Sequence, residues 1–300
     1  MRVGISIGTV FDPGESTGAA PSVLAQAEAA ARARLDSLTV GDRHSTAPSV
    51  YLQNVPLIGR ILGAWHQRPV GCLFLVPLWH PVLMAEQIGT LAAMAAAPFI
   101  VQVGVGEGEA LFASMGQDLR ERGARTERGI HLVKALLDGE TVDDDEFNIK
   151  GARIAPRPAH GMEWWIGGSV RRSIDRAARL GTSWYGNADL TLQSATTAMD
   201  VYRDACARHD HHPTRIPIRR DVYIAENRVE AERVGDSLIH AGYRGFERQA
   251  ATYGDPQSVA EQLAPFGEVG FTDIIVRTMT RGQSALRTVE LTEELRALLA

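Results

Sequence analysis

The chain has 300 residues, of which 45% are hydrophobic and 22% charged, and its formal net charge is -5. Acidic and basic residues are interspersed, and no run reaches the ~18 apolar residues of a membrane span, so neither nucleic acid nor a membrane is indicated as a partner. The two cysteines, Cys72 and Cys206, lie far apart in the sequence and make no disulfide framework, so we expect a globular protein of the reducing cytoplasm that acts on a small molecule.

Short apolar strands alternate with longer helical patterns along the whole chain, which is typical of βαβ units on a parallel sheet. The predicted strands are residues 3–8, 37–40, 69–76, 98–105, 163–168, 183–186, 216–225 and 272–277. The first predicted helix starts at residue 21, and the second ends near residue 65. Further helices are predicted over residues 80–96, 126–137, 169–181, 192–209 and 229–249, with one more at the end of the chain. Eight such units predict an α/β fold, a single (β/α)8 TIM barrel domain over residues 1–300.

Residues 139–160 interrupt this rhythm with charged residues, glycine and proline, and we expect a small excursion that carries a hairpin. Such an excursion could cover a pocket as a lid or pack elsewhere.

In a barrel of this kind the active site forms from the loops that follow the strands. Asp42, Arg43 and His44 follow the second predicted strand, where a carboxylate and an imidazole could handle a proton near neutral pH. The alternative is a capped loop with a surface ion pair.

The loop after the fourth strand, GVGEGE, contains glycines that would let a cofactor approach the backbone closely. It lacks the third glycine of a dinucleotide fingerprint and the Gly-Lys-Ser/Thr of a P-loop. Glu109 in this loop is either a proton-handling acid or an acid favoured by the dipole at the start of a short helix.

The segment GGSVRRS, residues 167–173, joins a strand to a helix. Free backbone N–H groups, the helix dipole and two arginines favour an anion there, most naturally a phosphate. The alternative is a tight turn in which Ser169 serves only as the N-cap.

Two further patterns have simpler interpretations. HDHHP, residues 209–213, follows a helix that leads away from the strand ends, so we predict no metal site. Trp79, Trp184 and Tyr185 are placed either to line an aromatic pocket or to fill the core.

Five segments in this order resemble the bacterial luciferase-like family of (β/α)8 enzymes, which use FMN or the deazaflavin coenzyme F420. They are HPVLMAEQIGTLAAMA, VQVGVGEGEALFASMG, RTERGIHLVKALLDGE, WWIGGSVRRSIDRAARLG and GDPQSVAEQLAPFGEVGFTDIIV. Together they cover nearly the whole chain.

The resemblance implies roles for particular residues. Asp42 would lie beside the cofactor ring, and Leu73–Phe74 occupies the place where relatives have a non-prolyl cis peptide, although the bulk of Phe74 leaves both a cis and a trans bond open here. Glu109 in GEGEAL resembles the acid of GTGEAL in deazaflavin-dependent sugar-phosphate dehydrogenases. The cofactor side chain and phosphate would be lined by Gly106, Gly108, Gly167, Gly168, Ser169 and Val170.

The chain departs from the family pattern in two places. Relatives often carry histidine directly after the acid of the second strand, whereas here Arg43 follows Asp42 and the histidine is displaced to His44. Ala97–Pro98 replaces the usual Gly-Arg turn before the fourth strand. The first departure concerns the identity of the catalytic base, and the second concerns only a turn.

We therefore predict an oxidoreductase that transfers a hydride between F420 and a small organic substrate, with His44 or Glu109 handling the proton and Asp42 positioning ring or base. One alternative is an FMN-dependent monooxygenase that receives reduced flavin from a reductase partner. Another is a barrel that binds a cofactor without turnover, which Arg43 in the usual histidine position would favour. The resemblance also implies a homodimer.

Overall fold

The structure is a computed structural model that describes all 300 residues. Its strands are β1 Arg2–Ile7, β2 Val10–Phe11, β3 Leu38–Val40, β4 Val50–Tyr51, β5 Val70–Leu75, β6 Phe99–Gly104, β7 Val142–Asp144, β8 Ile149–Ala152, β9 Met162–Gly167, β10 Ser183–Tyr185, β11 Pro217–Ile224, β12 Thr252–Gly254 and β13 Asp273–Thr278. Its helices are α1 Ser16–Arg32, α2 Asn54–Ile61, α3 Pro81–Met94, α4 Glu109–Ser114, α5 Arg122–Asp138, α6 Arg171–Leu180, α7 Leu192–His209, α8 Arg228–His240, α9 Pro256–Val269 and α10 Gly282–Leu299. None of the ten helices combines the length and apolar character that a membrane crossing requires.

All eight predicted strands are present, and the predicted hairpin is the antiparallel pair β7–β8, in which Val142 lies opposite Ala152. The predicted helix over residues 229–249 is wrong in its second half, because α8 ends at His240 and two short 3-10 turns follow. Gly242 and Gly245 in this stretch have φ values of +82° and +68°, which interrupt a right-handed helix. Strands β2, β4 and β12 and helix α9 were not predicted, while α4 is the short helix that was one of the two alternatives for Glu109.

The chain divides into two compact units. Unit 1 comprises Met1–Gly8, Thr17–Thr39 and Trp165–Ala300, and unit 2 comprises Thr9–Ser16 and Val40–Trp164.

In unit 1, β1 pairs in parallel with β13, β13 with β11, and β11 with β12, while β9 pairs with β10. The register places Val3 opposite Ile274, and both side chains are fully buried. Helices α6 and α7 pack together, as do α9 and α10. Strands covered on both faces are expected to be almost continuously apolar, which is why this part of the fold could be predicted from the sequence.

In unit 2, β5 and β6 pair in parallel, with Leu73 opposite Gln102. Only glycine fits at position 71, because a Cβ there would lie 1.7 Å from the carbonyl oxygen of Ile100 on the neighbouring strand. Helix α5 packs against the turn of residues 76–78 that follows β5, and Gly129 allows this approach, since a Cβ there would lie 2.7 Å from Val76 Cγ1. The end of β5 and the turn beyond it are thereby fixed.

Candidate active site

Asp42 lies two residues beyond β3 and is a buried carboxylate, with 6% of the residue exposed. Its Oδ2 accepts hydrogen bonds from the backbone N–H of Leu75 and from Trp79 Nε1, both at 2.8 Å. Both donors are neutral, and no lysine or arginine lies within 4 Å. The carboxylate is therefore held in one orientation by the end of β5 and by the turn that follows it.

His44 faces this carboxylate. Its Nε2 lies 3.2 Å from Asp42 Oδ1, and its ring packs edge-on against Trp79 with centroids 5.8 Å apart. The 3.2 Å contact lacks the geometry of a hydrogen bond, and neither Asp42 Oδ1 nor His44 Nε2 has another hydrogen-bond partner. The structure thus brings together the carboxylate and imidazole that the sequence singled out, and it rules out a surface ion pair because Asp42 is buried.

Arg43 takes no part in this cluster. Its side chain is exposed, and its carbonyl oxygen accepts a hydrogen bond of 3.0 Å from Gln53 Nε2. The imidazole of His44 therefore occupies the place beside Asp42, although Arg43 is the residue that directly follows the acid.

The end of β5 forms the wall next to Asp42. The Leu73–Phe74 peptide bond is trans, and the parallel pairing with β6 continues without a break through both residues. The Leu73 carbonyl accepts a hydrogen bond of 2.6 Å from Asn54 Nδ2, and the fully buried Phe74 ring packs edge-on against Trp79 at 5.2 Å. The resemblance implied a cis peptide at this place and the bulk of Phe74 left it open; the structure has the trans bond.

The charge of Asp42 also affects the thiol of Cys72 on β5. Burial raises the pKa of the Cys72 thiol well above its usual value, and the negative charge of Asp42 raises it further. Cys72 is therefore a neutral core residue and no nucleophile.

The glycine-rich loop follows β6. Gly106 and Gly108 have φ values of +70° and +90°, which favour glycine. A Cβ at Gly106 would lie 3.0 Å from the Phe112 ring, whereas a Cβ at Gly108 would meet nothing within 4 Å. The backbone at Gly108 is therefore open for a ligand to approach.

Glu109 is the first residue of the short helix α4, and its side chain is exposed. Its carboxylate makes no hydrogen bond or ion pair, and nothing joins it to Asp42 or His44. Of the two proton-handling residues that the sequence left open, His44 is the one in contact with a buried partner.

In unit 1, the segment from Gly167 to Val170 leads into α6. Val170 is the N-cap residue, and no side chain accepts a hydrogen bond from the first turn of the helix. Ser169 is exposed and is not the N-cap, so the alternative of a serine-capped turn is wrong. Because backbone N–H groups at a helix start are unsatisfied without a cap, this end of α6 retains its capacity for an anion.

The three aromatic residues noted in the sequence have different positions. Trp184 is fully buried and donates from Nε1 to the Gly168 carbonyl oxygen at 2.7 Å, so it is a core residue that supports the Gly167–Val170 segment. Tyr185 stacks on Trp165 with centroids 5.8 Å apart. Trp79 alone belongs to the Asp42 cluster.

The sequence did not indicate Asn54 as a residue of the site. It indicated Trp79 as an aromatic residue but not as a hydrogen-bond donor to Asp42. Asn54 is fully buried at the start of α2 and fixes the Leu73 carbonyl. A polar residue that opens an apolar helix was the available signal, but its partner is 19 residues away in the sequence.

The chain is similar in sequence to a known protein family and to characterised enzymes. A family model described as luciferase-like monooxygenase matches residues 1–269. An FMNH(2)-dependent dimethylsulfone monooxygenase of Pseudomonas fluorescens (strain Pf0-1) is 24% identical over 221 residues, which cover 72% of this chain and 59% of that enzyme, less than two thirds of its length. An F420-dependent glucose-6-phosphate dehydrogenase of Beutenbergia cavernae is 24% identical over 310 residues, which cover 88% of this chain and 89% of that enzyme.

Solved structures resemble the whole chain. The monooxygenase RslO1 from Streptomyces bottropensis superposes with a TM-score of 0.83 at 18% identity, covering 98% of each chain. An F420-dependent secondary alcohol dehydrogenase in complex with an F420–acetone adduct superposes with a TM-score of 0.84 at 14% identity, covering 100% of this chain and 99% of that one. The likeness shows that the chain has their fold, the (β/α)8 barrel predicted from its strand–helix units.

Proposed function

The chain belongs to the luciferase-like monooxygenase family, and from this premise we propose that it is an oxidoreductase that transfers a hydride between coenzyme F420 and a small organic substrate. The family contains both F420-dependent and FMN-dependent relatives of this chain. The observation that carries the proposal is the contact between the buried carboxylate of Asp42 and the half-buried imidazole of His44 at the end of a strand.

The residues present fit a flavin-type cofactor. Asp42 Oδ1 and His44 Nε2 are buried polar atoms without hydrogen-bond partners, and the Gly108 backbone is open to a close approach. Asp42, Leu73 and Phe74 would lie beside the ring of the cofactor, and Gly106 and Gly108 would line its side chain.

For the phosphate, the uncapped start of α6 supplies backbone N–H groups and a favourable dipole. The residues that would hold it are Gly167, Gly168, Ser169 and Val170. When bound, F420 would supply or accept the hydride.

The chain's own part in the chemistry is to move a proton. Oxidation of an alcohol to a carbonyl removes a proton from oxygen, and the reverse reaction returns it. The imidazole of His44 would accept or donate this proton, since an imidazole is suited to both roles near neutral pH. Asp42 would position the imidazole, which lies 3.2 Å away, and is itself held by Leu75 and Trp79.

The position of His44 also favours an enzyme over a barrel that only binds a cofactor. That alternative was motivated by Arg43, which takes the place in the sequence where relatives often have histidine. Because Arg43 is exposed and His44 contacts Asp42, the imidazole that the chemistry needs is present.

The second candidate function is an FMN-dependent monooxygenase supplied with reduced flavin by a reductase partner. It is favoured by the similarity to the FMNH(2)-dependent dimethylsulfone monooxygenase. The Asp42–His44 pair would serve proton transfer in that reaction as well.

Titration of the purified protein with F420 and, separately, with FMN tests the choice. We expect saturable binding of F420, weaker binding of FMN, and reduction of F420 by a member of a panel of secondary alcohols and sugar phosphates. Tight FMN binding without detectable F420 binding would overturn the proposal in favour of the monooxygenase. Glu109→Gln serves as the control variant, because its exposed side chain has no partner to lose.

A further inference from the structure

An open cavity of about 490 Å³ lies in unit 1 among residues that the proposed function does not use. It is bordered by the start of α8, by β12 and by α9. Its polar lining includes Arg220, Arg228, Arg248, Tyr253, Ser258 and Gln262. We call it the Arg220 cavity.

Arg220 is an unusual lining residue, because it is only 1% exposed and carries a charge. It lies on β11, where Nη1 donates to the Leu190 carbonyl oxygen at 2.5 Å and Nη2 to the Ala250 carbonyl oxygen at 2.6 Å. Its Nε–H has no acceptor, and it forms no ion pair with a carboxylate. Burial lowers the pKa of Arg220 to about 10, in spite of the charges of Asp221 and Asp189, which raise it.

A buried guanidinium without a carboxylate in contact is costly, and here the charges of Asp221 and Asp189 offset only part of the desolvation. Its direct contacts are the two carbonyl oxygens and the face of Phe266, 4.5 Å from the guanidinium carbon, while Asp221 and Asp189 act on it without forming an ion pair. A small anion in the cavity would supply the missing charge.

Two further arginines border the same cavity and are free to change partners. Arg228 pairs with Glu232 at 2.7 Å, four residues along α8, and Arg248 lies 3.8 Å over the Tyr253 ring and 3.5 Å from Asp236. Such exposed ion pairs contribute little and exchange readily.

The balance of charge around the cavity is positive. Three arginines line it, against two carboxylates, those of Glu232 and Glu261. The Ser258 hydroxyl and the Tyr253 side chain complete a lining suited to a small organic anion.

We propose that the Arg220 cavity binds a small oxyanion, either a carboxylate or a phosphate group, held by Arg228 and Arg248 and neutralising the buried charge of Arg220. Arg220 joins the loop that follows β10 to the turn before β12 through the Leu190 and Ala250 carbonyls. An anion bound there stabilises both segments against unfolding. The site is independent of the proposed oxidoreductase activity.

Isothermal titration of the full chain with inorganic phosphate and, separately, with succinate tests the proposal at constant ionic strength set by chloride. We expect saturable binding of at least one probe, weakened about tenfold in Arg248→Met, since a charge-assisted hydrogen bond is lost. The tighter of the two probes identifies the oxyanion. Arg220→Met is avoided as the main variant, because the loss of its carbonyl hydrogen bonds could prevent folding.

Arg120→Met is the matched control. It removes the same charge from an exposed arginine that pairs only with Asp118, so binding should equal that of the wild type. Arg228→Met repeats the test should Arg248→Met fail to fold. The proposal is overturned if neither probe binds saturably, or if the cavity variants bind both probes as tightly as Arg120→Met does.

Discussion

Two buried aspartates, one in each unit, have contrasting partners. In unit 2, Asp42 accepts hydrogen bonds from neutral N–H groups and lies 3.2 Å from the imidazole of His44. In unit 1, Asp221 is fully buried. Its carboxylate accepts hydrogen bonds from Arg219 Nε at 2.7 Å, from Arg219 Nη2 at 2.8 Å and from the Tyr243 hydroxyl at 2.8 Å.

The difference is consistent with the chemical role proposed for Asp42 and indicates a structural role for Asp221. Burial raises the pKa of Asp221, but the Arg219 guanidinium outweighs this and holds the pKa below its usual value. Asp221 is thus locked as an ion pair and stabilises the fold. Asp42 has no cation that fixes its charge, and two atoms of its cluster, Asp42 Oδ1 and His44 Nε2, are free for a ligand.

The largest expected effect is on turnover at Asp42. In Asp42→Asn the amide cannot orient the imidazole as a carboxylate does, so we expect kcat to fall about 10²–10⁴-fold, the usual contribution of acid–base groups. Steady-state assays with the substrate identified from the panel measure this. A kcat close to that of the wild type, in a variant that still binds F420, would contradict the assignment.

The next effect is on stability at Asp221. Asp221→Asn leaves the half-buried Arg219 without its counter-charge, and we expect the free energy of unfolding to fall by about 3–5 kcal/mol. Urea denaturation measures it. Asp118→Asn, which breaks an exposed pair with Arg120, is the matched control and should change stability little. Equal behaviour of the two variants would refute the structural role of Asp221.

Acid pH should remove the stability that the buried, ion-paired aspartates of unit 1 contribute. For Asp221 and Asp273, burial raises the pKa, but Arg219 and Arg215 respectively lower it below the usual value. Their folded-state pKa values lie below the unfolded value of about 3.9, so the stability they contribute is present above about pH 4 and is lost as the pH falls through the folded values.

The measurement for this prediction is the urea midpoint between pH 6 and pH 2. The wild type should lose more stability over this range than Asp221→Asn, which has already lost one of the two contributions. Parallel curves for the two proteins would show that Asp221 is not linked to folding.

The smallest effect is expected at Trp79. Trp79→Phe keeps an aromatic ring against Phe74 and His44 but removes the hydrogen bond to Asp42 Oδ2. Because one acceptor of a buried carboxylate loses its donor, we expect a loss of about 1–3 kcal/mol in unfolding free energy. Trp65→Phe is the control, since its indole donates to backbone carbonyls remote from Asp42 in the sequence. An unchanged stability in Trp79→Phe would show that water replaces the indole N–H.

The parts of the fold that could be predicted are those governed by local pattern. The apolar runs of β5 and β13 predict strands, because a strand that is covered on both faces contains few polar residues. Asp42 and His44 could be selected because they follow a strand, where barrel sites form.

What escaped prediction depends on contacts between distant residues. The partners Asp42 and Trp79 are 37 residues apart, and no local pattern marks Trp79 as a donor to that carboxylate. The end of α8 was placed too late in the sequence, because the stretch after His240 contains residues that are compatible with a helix. The positive φ values of Gly242 and Gly245 prevent the right-handed helix from continuing through this stretch.

The measurement that tests the central claim most directly combines turnover and cofactor binding in His44→Gln. Glutamine keeps a polar side chain beside Asp42 but cannot exchange a proton as an imidazole does. We expect kcat to fall about 100-fold or more while the dissociation constant of F420 stays within about threefold of the wild type. A variant that turns over at the wild-type rate with F420 bound would contradict the proton-handling role of the Asp42–His44 pair.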